Sequence, residues 1–136
     1  MSLISNEDQL VRTQTIMDLL ISWNLSAKDQ INLLGLPSST KERHMQRYQQ
    51  GDVLPQSGDV NERIDHLFGI GDALRTSYPH NELMGALWLT TKHRRFNNEA
   101  PLQVMLGQNL PGILSVRAHL DCAFDWRVDD ENQKPK

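Results

Sequence analysis

Residues 62–126 read ERIDHLFGIGDALRTSYPHNELMGALWLTTKHRRFNNEAPLQVMLGQNLPGILSVRAHLDCAFDW, and the fold turns on how this stretch is parsed. Its centre, Lys92–Pro101, has no helical period, whereas both flanks do. On the N-terminal flank, Val60, Ile64, Leu67, Phe68, Gly71, Leu74 and Tyr78 recur at spacings of three and four, which predicts a long helix over 60–78 with one buried stripe. Asp59 is placed to cap it and Pro79 to end it. Gly69 and Gly71 lie inside it, each costing about 1 kcal/mol relative to alanine. They predict a close helix crossing, because Gly69-Ile70-Gly71 is not a phosphate-binding GxGxxG and no strand precedes it.

The next helix is expected from Asn81 as cap to about Leu89, with Leu83, Ala86 and Leu87 turned to the core and Trp88 partly covered. Pro101 suits the first position of a short helix, Leu102–Gly107, with Leu102, Met105 and Leu106 inward. After Gln108-Asn109 a last helix over Pro111–Asp125 buries Ile113, Val116, Leu120, Ala123 and Phe124.

Upstream lies a small helical head. Its first helix, Asp8–Trp23, puts Leu10, Ile16, Met17, Leu20 and Trp23 on one side. Ser26 is a good N-cap for a second, with Asp29 three residues on and Ala27, Ile31 and Leu34 as its stripe. Gly35 ends that helix in the left-handed conformation. A third helix starts near Ser38 or Ser39 and runs to about Gln50, with Met45 and Tyr48 inward and Gly51 as its stop. Residues 51–59 form a short link that Val53 and Leu54 pin to the core, and residues 129–136 read as a disordered polar tail. The expectation is an all-α chain: a head over 1–57, a body over 58–128 and the tail.

The totals exclude several function classes. One hundred and thirty-six residues suffice for a real core without staples. A net charge of −3 rules out a bulk-charge attraction to nucleic acid, leaving only local patches. With Cys122 alone there is no intramolecular disulfide, no apolar run reaches the ~18 residues of a membrane span, and residues 1–9 do not read as a signal peptide, so a cytoplasmic protein is expected. No catalytic constellation or cofactor motif is visible. The five histidines fall on different elements without His-x-x-x-His or Cys-x-x-Cys spacing, so no metal site is expected and the chain reads as a binding protein, not an enzyme.

In the head, a short helix, a glycine turn and a helix polar on its outer face have the shape of a helix-turn-helix. Ser39, Thr40, Lys41, Arg43, His44 and Arg47 are the candidate DNA contacts, since hydroxyls near a helix start bind phosphate and arginine reads guanine edges. Lys41, Arg43 and Arg47 against Glu42 make a weakly basic patch. A solvated face of an ordinary bundle fits these residues equally well.

The body resembles the toxin-binding domain of the Xre/MbcA/ParS antitoxins, and the head resembles their Xre-type helix-turn-helix. Leu25–Gly35 is similar to the family's second helix and turn. Glu62-Arg63-Ile64 with Leu67-Phe68-Gly69-Ile70 and Ala73-Leu74-Arg75 is similar to its central helix. Trp88-Leu89 and Phe96-Asn97-Asn98-Glu99-Ala100-Pro101-Leu102 resemble its Trp-Leu and Phe-x-Gly-x-x-Pro-Leu core, and Leu114, Val116, Leu120, Ala123 and Phe124 its closing helix. Where the family usually has glycine in that turn this chain has Asn98, a residue that tolerates positive φ. Where the closing helix often ends in an aromatic and glycine, it has Phe124-Asp125-Trp126.

The resemblance implies an antitoxin that blocks a cognate toxin, in this family commonly a RES-domain protein that consumes NAD, and that represses its own promoter as a homodimer. Carried over, toxin contacts fall on Arg95, Phe96, Asn97, Asn98, Pro101, Leu102, Asp125 and Trp126, with Phe96→Ala expected to weaken partner binding more than folding. Two other readings stay open: a stand-alone regulator without a toxin, and an interaction protein that has lost DNA binding.

Overall fold

The structure is a computed structural model that describes the backbone of residues 6–133 and the side chains of residues 7–81 and 83–122. The described chain is all-α. In order it comprises α1 (Asn6–Ser22), α2 (Ala27–Leu34), α3 (Glu42–Gln50), α4 (Gly58–Ser77), α5 (Glu82–Thr90), a single 3-10 turn η1 (Arg94–Phe96) and α6 (Pro101–Gln133). The disordered tail expected from residue 129 lies, for all its side chains and for residues 134–136, outside what is described.

Local chemistry accounts for most boundaries. Ser26 caps α2 by accepting the Asp29 N–H, and Gly35 closes it at φ 73°. A Cβ on Gly35 would stand 2.6 Å from Arg63 Nε, so this glycine serves both the turn and the approach of α4. Asn81 caps α5 by accepting from the Leu83 N–H. Two expected starts move. Ser57, not Asp59, caps α4, accepting from the Val60 N–H, while Asp59 turns to pair with Arg63 at 3.2 Å. Helix α3 begins at Glu42, because Thr40 N–H bonds the Pro37 carbonyl at 2.9 Å and residues 37–40 close a turn first.

Helix α6 is broken where two helices were expected. Asn109 sits at φ 58°, ψ −140°, and Pro111 follows it without an N–H. The two arms come together at Gly112, whose Cβ, if it had one, would collide with the Val104 carbonyl.

One cluster of buried side chains runs through head and body. Helix α4 sits at its centre, packing on α6 and also meeting α1, α2 and α5. It buries Val60, Ile64, Leu67 and Leu74 as expected, and also Arg63 and Ile70, while Phe68 and Tyr78 are only partly covered. On α2 the fully buried pair is Leu33 and Leu34, with Ala27 and Ile31 packed at its edge. The glycines of α4 are crossing points: Gly71 lies against Leu19 of α1, and Gly69 leaves room for the Arg117 guanidinium of α6, which donates to His66 Nδ1 at 2.9 Å. Polar ties fasten head to body. Arg12 donates to Asp65 at 2.7 Å and to the Asn61 carbonyl while lying over the Phe68 ring. Leu54 is buried as expected, and its N–H donates to the buried Thr13 hydroxyl at 3.1 Å.

Candidate partner-binding surface

The passage between α5 and α6 is a closed, self-bonded loop. His93 N–H donates to the Glu99 carbonyl and Asn98 N–H returns to the His93 carbonyl. Within them Phe96, Asn97 and Glu99 donate to His93, Arg94 and Phe96 in turn, all at 3.0 Å. Asn97 and Asn98 are both left-handed, at φ 57° and 65°. Asn98 thus takes the conformation that a glycine would take more cheaply, which is why the turn survives without one.

An aromatic plug holds this loop down. Phe96 points inward, its ring 4.9 Å from that of His119 on α6 in an edge-on contact. Trp88 of α5 lies parallel to His119 at 6.3 Å and 5.1 Å from the His93 ring, whose Nε2 is 3.1 Å from the Trp88 carbonyl. Burial lowers the pKa of His119 below its ordinary value, and the Arg95 and His93 charges push it the same way.

The predicted toxin contacts therefore divide. Arg95, Asn97 and Asn98 stand exposed on the loop. Phe96, Pro101 and Leu102 are buried in the free chain. Phe96, 8% exposed, is a core residue whose truncation is costly to folding, about 3–5 kcal/mol by analogy with buried aromatics. The side chains of Asp125 and Trp126 lie outside the described residues.

Helix α5 corrects the sequence reading most. Leu83 and Leu87, expected in the core, are 71% and 55% exposed, and Met84 joins them at 37%. Ala86 faces inward as expected, joined by Gly85 and Leu89. No charged residue interrupts α5 after Glu82, so periodicity has no polar face from which to choose the buried one.

The candidate DNA residues lie on the turn before α3 and along that helix. Lys41, Arg43 and Arg47 are exposed, as is Ser39, while Thr40 and His44 are half-buried. Ser39 and Thr40 belong to the turn before α3, and His44 Nδ1 accepts the Lys41 N–H at 3.0 Å, so this imidazole is engaged locally. Among the described residues no group of three or more His, Cys, Asp or Glu gathers as for a metal ion, and no helix is long and apolar enough to cross a membrane.

An uncharacterized protein of Sinorhizobium fredii, y4oB, is 33% identical over 99 residues, which cover 73% of this chain and 73% of that protein. Residues 71–122 match the antitoxin Xre/MbcA/ParS C-terminal toxin-binding domain. The chain belongs to the Xre/MbcA/ParS antitoxin family. The matched segment of this antitoxin starts at Gly71 inside α4, takes in α5 and the loop, and ends at Cys122 on α6, so it includes the whole aromatic plug.

Proposed function

We propose that this antitoxin binds and blocks a toxin made beside it, of the RES-domain, NAD-consuming type, and represses the promoter of the pair as a cytoplasmic homodimer. The observation that carries the toxin-binding half is the coincidence of the matched segment with the α5–loop–α6 surface, where exposed arginine and asparagine side chains stand on a rigid loop. Rigid presentation favours affinity because little conformational entropy is lost on docking. The test is co-expression with the products of the flanking reading frames. A stable complex with a neighbour that is toxic alone supports the reading; a well-folded chain that takes no such partner refutes it.

The DNA-binding half rests on Lys41, Arg43 and Arg47 standing exposed from the N-cap of α3 to its last turn. Residues 35–41, between α2 and α3, make a connection longer than the ~3–4 residues of a helix-turn-helix turn. That favours a second reading, in which the head is a structural support without DNA contact. A salt series on promoter DNA separates the two. If the three basic groups of each protomer in a dimer meet phosphate, log K falls against log salt with a slope of about −5, whereas a flat series leaves only the supporting role.

A further inference from the structure

Among the described residues six large apolar side chains stand exposed, and three of them, Leu83, Met84 and Leu87, fall within five residues on α5. They share one side of the helix by their spacing. Leu87 is also where the helix passes into the loop: the Thr91 hydroxyl donates to its carbonyl at 2.6 Å and the Thr90 hydroxyl at 3.2 Å. Beyond that junction come Lys92, Arg94 and Arg95, all exposed, and none of them pairs with a carboxylate among the described residues. In a chain with a net charge of −3, four arginines pair with carboxylates, Arg12 with Asp65, Arg63 with Asp59, Arg75 with Asp72 and Arg117 with Asp121, whereas Arg43 and Arg47 of α3 are, like the loop cations, without a carboxylate partner among the described residues. The loop cations are left unpaired at the end of an apolar helix face.

We propose that the α5 face and the Arg94–Arg95 loop form one composite docking surface, and that the protein surface it takes is an apolar patch bordered on one side by carboxylates. This rests on the toxin-binding reading and names the chemistry of the partner. Leu83, Met84 and Leu87 supply the apolar centre, where desolvation gives affinity, and the guanidinium groups supply orientation and encounter rate. Charge complementarity selects this occupant. Nucleic acid would satisfy the arginines but leave the three apolar side chains in water. A second copy of the chain would cover the apolar face but bring its own unpaired arginines and no matching acidic cluster on the described part of α5 or the loop.

The experiment uses the full chain and the product of the flanking reading frame, with two double variants that keep the buried side of α5 and Phe96 intact. Arg94→Glu with Arg95→Glu is expected to weaken the complex roughly tenfold or more and to flatten its salt dependence. Leu83→Ser with Leu87→Ser is expected to weaken it by a similar factor while leaving the salt dependence in place. Both variants should melt close to the parent, since the changed side chains are exposed. A complex indifferent to both pairs, or tightened by the glutamates, overturns the inference and leaves the antitoxin reading standing. So does a Leu83→Ser, Leu87→Ser chain that turns from dimer to monomer in sedimentation yet holds the partner unchanged. Absence of any complex with the parent chain overturns the antitoxin reading itself, and this inference with it.

Discussion

Helices α4 and α5 are both rich in apolar residues, yet the first is covered and the second is not. On α4 the apolar stripe meets other helices on several sides, with α6, α1, α2 and α5 all against it. Two glycines let the neighbours in: Leu19 against Gly71 and Arg117 across Gly69. On α5 the inner side meets α4 and α6 through Gly85, Ala86 and Leu89, and nothing on the described chain covers Leu83 and Leu87. The difference teaches that the apolar content of a helix does not fix how much of it is buried; the number of neighbours does. A helix apolar nearly all round and covered on one side keeps a surface for a partner.

The comparison breaks first on truncation. Leu67 of α4 is fully buried, so Leu67→Ala should cost about 2–5 kcal/mol, read as a lower urea midpoint. Leu87→Ala, on the open side of α5, should stay within about 0.5 kcal/mol of the parent. Similar losses at both positions would mean that the α5 face is covered in the free protein. A smaller but sharp effect is expected at Gly112, where the arms of α6 meet. A methyl group there strikes the backbone of Val104, which cannot rotate aside as a side chain can. Gly112→Ala should therefore cost about 1–3 kcal/mol, despite the better helix propensity of alanine. An unchanged melting curve would show that the arms do not pack as closely as described.

Much of this was legible from the residues. Caps are local chemistry, so Ser26, Gly35 and Asn81 could be placed from sequence, as could the break near Asn109, because proline and glycine interrupt helices through their own backbones. The stripe of α4 was legible because polar residues separate its apolar ones. Ile70 was not legible because it lies between Gly69, which Arg117 approaches, and Gly71, which Leu19 approaches, so the buried arc is wider than one stripe. Arg63 was missed because its burial depends on Asp59 and the Asn32 carbonyl, which accepts from Nη1 at 3.3 Å from a distant part of the chain. The open side of α5 was not legible at all, since periodicity needs contrast. The loop surface was found only in part: Arg95 and the two asparagines are exposed, but the inward turn of Phe96 depends on His119, a partner 23 positions along that no local pattern announces.

Asn109 sharpens the comparison from the other direction, because the break it makes decides how α6 lies over both helices. Its φ of 58° with ψ of −140° is costly for a residue with a Cβ and easy for glycine. Asn109→Gly should stabilise the fold by about 1 kcal/mol and leave the spectrum of the helices unchanged. A loss of stability would mean that the amide side chain, and not the backbone angle, is what the position selects.

The smallest effect concerns the covered edge of α5, where Trp88 lies parallel to His119. Burial, Arg95 and His93 hold the His119 pKa below its ordinary value of 6.5, so the folded chain resists a proton that the unfolded chain accepts. The sign follows from linkage. Above pH 6.5 neither state binds the proton and the neutral ring is no burden; as pH falls below 6.5 the unfolded state gains protons first and stability declines. The decline stops once pH passes the lowered folded pKa, where both states are protonated. The measurement is a difference: melting temperature against pH for the parent and for His119→Gln. The parent should lose more on acidification than the variant, with the gap opening below pH 6.5. Parallel curves would mean that His119 takes its proton freely beside Trp88, and that the inner edge of α5 is as open to water as its outer face.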